Sequence, residues 1–159
     1  MKIKSPAYTR KEYIHGMPPS KIAKYSIGSP SDKFGYNVSL ISAERGMVKS
    51  DALEAVRISI GKILSTELGE TGFCLTIRAH PHHIIRENKM LAFAGADRIQ
   101  KGMRNSFGKS SKRAAVVGGG QTVLSVEVNE NGLNAAKAAL ANSVKKLPMS
   151  YRVGIEKLN

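Results

Sequence analysis

The chain has 159 residues, and 25 Lys plus Arg against 12 Asp plus Glu give it a formal net charge of +13. That length fits one compact domain, and 42% hydrophobic residues with no Trp imply an aliphatic core. A domain this basic repels itself unless a polyanion neutralises it, with nucleic acid first and an anionic membrane surface second. Cys74 is the single cysteine, which excludes an intrachain disulfide and a thiolate metal cluster. No signal-peptide pattern and no bilayer-length apolar run is seen, so the expectation is a cytoplasmic protein that does not enter membranes.

Residues 1–20 are polar, basic and Pro-containing, with Lys2, Lys4, Arg10 and Lys11 ahead of Pro18-Pro19. They read as an extended basic arm. Ile22 to Ile27 alternates weakly as a strand would, and residues 28–35 are rich in turn formers. Tyr36, Val38 and Leu40 alternate with Asn37, Ser39 and Ile41, predicting a half-buried strand. From Asp51 to Leu68, Leu53, Val56, Ile60, Ile63 and Leu64 recur at helical spacing. Ser50 or Asp51 is placed to cap that helix, Glu54 falls three residues later, and Gly69 is a natural stop. Arg57 and Lys62 fall on the opposite face.

Phe73 to Ala79 predicts another strand, in which Cys74 reads as an ordinary buried thiol, and Ile84-Ile85 can start the next. Residues 86–113 show no sustained period and read as one long basic loop, which in a small domain is usually functional or disordered. Ala114 to Val117, a Gly118-Gly119-Gly120 turn and a strand through Val123, Leu124, Val126 and Val128 follow. A second helix is predicted from Leu133 to Lys146, its apolar face Leu133, Ala136, Leu140 and Val144, with Lys145-Lys146 against its negative end and Pro148 beyond. Tyr151 to Ile155 can form a last strand. The expected class is α+β in two layers: two amphipathic helices on a mainly antiparallel or mixed sheet, one domain over 1–159.

Three motifs bear on chemistry. Gly102 to Ser110 resembles a phosphate-binding loop, but five residues rather than four separate Gly102 from Gly108, no clear strand precedes it, and no amphipathic helix follows. His80, His82 and His83 flank Pro81; extended backbone would set His80 and His82 on one face with His83 turned away, and no neighbouring acid completes a metal site. They read as surface or RNA-facing histidines, with no metal and no cofactor expected. Glu87 and Asp97, set among cations, are better ion-pair partners than a hydrolytic carboxylate pair.

The basic loop is the strongest signal. Arg86, Lys89, Arg98, Lys101, Arg104, Lys109, Lys112 and Arg113 can contact phosphates, its glycines admit close backbone approach, and Phe93 or Phe107 can stack on an unpaired base. The alternative is a solvated loop with no fixed partner. The apolar stretch Met90-Leu91-Ala92-Phe93-Ala94 favours a loop that orders against something. The candidate RNA contacts are therefore Lys2, Lys4, Arg10, Lys11, His82, His83, Arg86, Lys89, Arg98, Lys101, Arg104, Phe107, Lys109, Lys112 and Arg113, with no catalytic residue.

Longer stretches carry a family resemblance: Pro6-Ala7-Tyr8-Thr9-Arg10-Lys11-Glu12-Tyr13-Ile14, Ala52-Leu53-Glu54-Ala55-Val56-Arg57, His82-His83-Ile84-Ile85-Arg86-Glu87-Asn88-Lys89-Met90, Ala94-Gly95-Ala96-Asp97-Arg98, Gly102-Met103-Arg104 and Phe107-Gly108-Lys109. In this order, from about Lys4 to Tyr151, the chain resembles the archaeal and eukaryotic L-ten-e ribosomal proteins, whose bacterial counterpart is L-sixteen. The resemblance implies an α/β-hammerhead-like domain docked on large-subunit rRNA near the central protuberance. It also implies that the loop around residues 88–111 projects toward the peptidyl-transferase centre and the tRNA cleft, with roles in late subunit assembly and tRNA positioning. The implied partners are large-subunit rRNA, tRNA and neighbouring large-subunit proteins. Ser110-Ser111-Lys112-Arg113-Ala114-Ala115 stands where the family more usually carries a Pro-Val-Gly-Thr-Ala-like run, so the loop's return path is expected to differ.

Two other readings remain at this stage. An RNA-processing enzyme would need a convergent acid, base or metal constellation, and none is seen. A basic regulator acting off the ribosome would share the charge and differ in its partner.

Overall fold

The computed structural model describes residues 14–30, 34–87 and 108–158. Along the chain come β1 (Ser26–Gly28), β2 (Tyr36–Ser42), β3 (Gly46–Lys49), α1 (Ser50–Leu68), β4 (Phe73–Ile77), β5 (His83–Glu87), β6 (Lys109–Val117), β7 (Thr122–Val128), α2 (Leu133–Val144) and β8 (Tyr151–Lys157). A 3-10 turn over Glu130–Gly132 leads into α2.

Alternation along the strands decides the layers. Val38 and Leu40 of β2 stand opposite Val126 and Leu124 of β7, which stand opposite Leu75 and Ile77 of β4. All six are buried. They form the inner face of a five-stranded sheet ordered β1-β4-β7-β2-β8. The outer face carries Asn37, Ser39, Thr76, Ser125 and Glu127, the polar set expected when only one side of an antiparallel sheet is covered. Leu53, Val56, Ile60 and Leu64 of α1 and Ala136, Ala139 and Leu140 of α2 join the same core, and the two helices touch each other.

The strands form two sheets rather than one. β3, β6 and β5 make a three-stranded sheet, and every pairing among the described strands of both sheets is antiparallel. β6 and β7 are neighbours in sequence, yet they do not pair. The Gly118-Gly119-Gly120 turn carries the chain from the small sheet to the large one, with Gly120 at φ 80° and its N–H donating to the Ser42 carbonyl. Val48, Ala115 and Val117 tie the small sheet into the common core.

Most predicted elements are present, with corrections at their edges. β1 occupies only the end of the Ile22–Ile27 stretch, and β3 was not anticipated because its four residues are too few to show a period. α1 runs from Ser50 to Leu68 and ends at Gly69, but no side chain caps its start. Asp51 and Glu54 are drawn away from the helix end by cations, Lys112 and Arg57 respectively. Arg57 is therefore not on an open face: its side chain is only 12% exposed. α2 stops at Val144 rather than Lys146, whose Nζ donates to Ser59 Oγ of α1. Cys74 is buried, as its setting predicted.

Candidate RNA-binding surface

β5 and β6 form a stalk. His83 pairs with Ala114, Ile84 with Arg113, Ile85 with Lys112, Arg86 with Ser110, and Glu87 with Lys109. The register slips between Ile85 and Arg86, so Ser111 is an extra residue on β6, a β-bulge. Its Oγ donates to Glu87 Oε2 across the stalk at 3.1 Å. The predicted loop of 86–113 is thus shorter at both ends: Arg86 and Glu87 belong to β5, and Lys109 to Arg113 belong to β6. The periodicity missed these strands because both faces of the stalk are polar there, leaving no apolar alternation to detect.

The stalk places six of the candidate residues. His82 and Lys109 are exposed, while His83, Arg86, Lys112 and Arg113 are half-buried. Lys112 and Arg113 are engaged within the chain. Lys112 Nζ donates to Asp51 Oδ2 of α1, and Arg113 Nε donates to the Pro18 carbonyl at 2.7 Å. Ser110 Oγ donates to the Gly16 carbonyl at 3.0 Å. Lys2, Lys4, Arg10, Lys11, Lys89, Arg98, Lys101, Arg104 and Phe107 lie outside the described residues.

Asp51 marks a cationic cluster that sequence reading missed. The Lys112 hydrogen bond holds its carboxyl below the usual range, and the charges of Lys112, Lys21 and Lys49 act in the same sense. Lys49 sits on β3 opposite Ala114 of β6, so three lysines share one carboxylate beside the stalk. Isolated lysines carry no motif, and the β3–β6 pairing is what sets Lys49 close to Lys112.

The histidines take a different arrangement from the expected one. The His80 ring lies 4.6 Å from Tyr25, and His82 meets His83 edge-on at 4.3 Å instead of being turned away from it. The chain before β5 is not an extended strand, so face alternation does not apply. Among the described residues no group of three His, Cys, Asp or Glu side chains could hold a metal ion. A polar depression of about 350 Å³ lies on the outer face of the large sheet, lined by residues that include Asn37, Arg78, Ser125 and Glu156. Its one carboxylate, Glu156, shares the lining with Ser and Thr hydroxyls but with no histidine or second acid, and Arg78 Nε donates to Ser125 Oγ at 3.0 Å. The P-loop likeness also fails where it can be tested, because Lys109-Ser110 opens a strand and not a helix.

Residues 3–154 match the model of the family described as Ribosomal protein L16p/L10e. The chain belongs to this ribosomal protein family. It is a structural component of the ribosome and not an enzyme. Archaeal members named large ribosomal subunit protein uL16 are close to it in sequence. The Hyperthermus butylicus protein is 49% identical over 94% of this chain and 83% of its own. The Saccharolobus solfataricus protein is 49% identical over 94% and 85%, and that of Sulfolobus acidocaldarius 46% identical over 99% and 91%. No helix among the described residues is long and apolar enough to cross a membrane.

Proposed function

We propose that this chain is a single-domain constituent of the large ribosomal subunit that binds large-subunit rRNA near the central protuberance. The observation that carries the reading is the convergence at the stalk. Gly16 and Pro18, at the end of the basic arm, are bonded to β6, where the basic loop returns to the body. Lys21, Lys49 and Lys112 stand beside the same stalk. Two basic segments far apart in sequence thus leave the body together, which suits a partner whose phosphates lie in a continuous array.

In this reading Lys109 and His82 are direct phosphate contacts with exposed heads, joined by Arg86, His83 and the arm residues Lys2, Lys4, Arg10 and Lys11. Lys89, Arg98, Lys101, Arg104 and Phe107 carry the contact along the loop toward the peptidyl-transferase centre, where the loop helps position tRNA. Lys112 and Arg113 add positive potential while serving the body of the protein. Neighbouring large-subunit proteins complete the set of partners, and the setting is the cytoplasmic ribosome. Quantitative co-sedimentation with large subunits from lysate is expected, against recovery in the soluble fraction for an off-ribosome regulator. Binding of the purified chain to large-subunit rRNA should fall steeply with salt. Neutralising about six phosphates of a duplex-like surface gives a slope of log affinity on log salt of about −5. A near-flat dependence would remove phosphate contact as the main driving force.

A further inference from the structure

We propose that Ser110 and Arg113 are positioning residues that strap residues 16–18 across β6. The strap fixes residues 16–18 beside Lys109 at the root of the basic loop, so that rRNA meets the strap and the stalk as one bipartite site. The RNA half of this proposal rests on the function proposed above; the strap itself does not.

The strap lacks the means to join the sheet in the ordinary way. Pro18 and Pro19 have no N–H to donate, and their rings hold the backbone extended. Its carbonyls remain available as acceptors, and β6 answers with side-chain donors. Ser110 Oγ reaches Gly16 O, and Arg113 Nε reaches Pro18 O. These contacts join residues 94 and 95 positions apart in sequence.

The bulge makes the double contact possible. Residues three apart on a regular strand point to opposite faces. Ser111, inserted where the register slips, shifts the alternation by one and lets Ser110 and Arg113 serve the same strap. The bond from Ser111 to Glu87 fastens the bulge to β5. At the arm side, Gly16 turns the chain at φ 74°, a left-handed conformation that costs glycine little, with open space around its Cα. At the other end the strap is anchored in the body. Ile22 is buried in the core, and the Ala23 N–H donates to the Glu54 carboxylate on α1. Residues 16–22 are thus held to the body at both ends.

The chain contains no Trp, and Met17 is 43% exposed, so Met17→Trp supplies a single fluorescent reporter inside the strap. In the free full-length protein, Ser110→Ala and Arg113→Ala should each lower the Trp anisotropy, and Ser110→Thr, which keeps the hydroxyl, should restore it. The RNA probe is large-subunit rRNA extracted from Saccharolobus solfataricus. Arg113→Ala should weaken its binding about tenfold, the order of one charge-assisted hydrogen bond. Ser110→Ala should weaken binding in the same sense without removing a charge, and Ser110→Thr should restore it. Unchanged anisotropy in both alanine variants would overturn the strap. A loss confined to Arg113→Ala, with a salt slope reduced by about one, would make Arg113 a plain phosphate contact. If Arg113→Ala fails to fold, the uncharged Ser110 Ala/Thr pair decides the strap by the same two readouts. A wild type that does not bind rRNA would sink the functional reading, while the anisotropy would still decide the strap.

Discussion

Two ion pairs on α1 show how local rules give way to tertiary contacts. Glu54 and Arg57 form a two-pronged pair, Nε to Oε2 at 2.8 Å and Nη2 to Oε1 at 2.5 Å, with side chains only 12–16% exposed. The Arg57 hydrogen bond holds the Glu54 carboxyl below its ordinary value, and the Ala23 N–H adds to this. Arg57→Ala leaves a mostly buried carboxylate with the Ala23 N–H as its remaining partner among those described. It should cost about 1–3 kcal/mol in chemical denaturation. Ile60, fully buried one turn further along the helix, should cost about 2–5 kcal/mol as Ile60→Ala. The order of the two follows from burial, but a neutral Arg57→Ala would show that the fork is solvent-compensated. The Asp51–Lys112 pair is more open and titrates in two windows. Folding lowers the Asp51 pKa below 3.8, so its stabilisation is full above that value and drains as pH falls further. Folding raises the Lys112 pKa above 10.5, so its part is full below that pH and is lost as pH rises through the folded value. Asp51→Asn should lower the denaturation midpoint slightly at pH 7 and by less near pH 2. An equal gap at both pH values would mean that the carboxylate's charge is not what the pair uses. The burial of this helix face was legible from Leu53, Val56, Ile60 and Leu64, because periodicity records burial directly. The partners of Asp51, Glu54 and Arg57 were not, because a capping motif and an ion pair use the same side chains, and only the fold decides which one forms.

At the scale of elements, legibility followed the apolar pattern. β2, β4 and β7 alternate against the core and were readable as strands. β5 announced itself only by Ile84-Ile85, and the outer half of β6 not at all, because Lys109 to Arg113 contribute donors instead of core. That half of β6 is where the chemistry concentrates: the strap, the bulge and the Asp51 partner lie within five residues. β1 is the opposite case, a three-residue edge strand held by a tight approach. At Gly28 the backbone has φ 96°, and a Cβ built there would lie 2.0 Å from the Phe73 carbonyl oxygen. That oxygen accepts from the Ser29 N–H and cannot move without disturbing β4. Gly28→Ala should therefore cost at least about 1–3 kcal/mol from strain alone. It should also speed amide exchange at Ser29 and at Ile77, whose N–H donates to the Tyr25 carbonyl beside β1. Wild-type stability and exchange in this variant would mean that β1 is dispensable to the sheet.

Across the described residues, the common core and the mouth of the stalk are separate parts of the fold. Among the described residues the core draws on both sheets and both helices and is closed by residues such as Phe73, Leu75 and Leu140. Glu87 and Lys109 pair across the mouth of the stalk, so the intervening segment begins and ends at one point on the body. Shortening a segment whose ends are already held together changes closure entropy only slowly with length. Deleting residues 96–108 should accordingly leave the melting temperature of the isolated protein almost unchanged. The same deletion removes Arg98, Lys101, Arg104 and Phe107, the residues proposed to carry the contact along the loop toward tRNA. Subunits carrying it should assemble late or synthesise peptide slowly, with the defect appearing in translation and not in folding. Both halves are measured on one variant: thermal melting of the free chain, and peptide synthesis by reconstituted subunits. Loss of folding would place the segment in the structural core despite its polar, glycine-rich sequence. Normal folding with normal synthesis would leave the rRNA contact to the arm and the stalk, and would remove the loop from tRNA positioning.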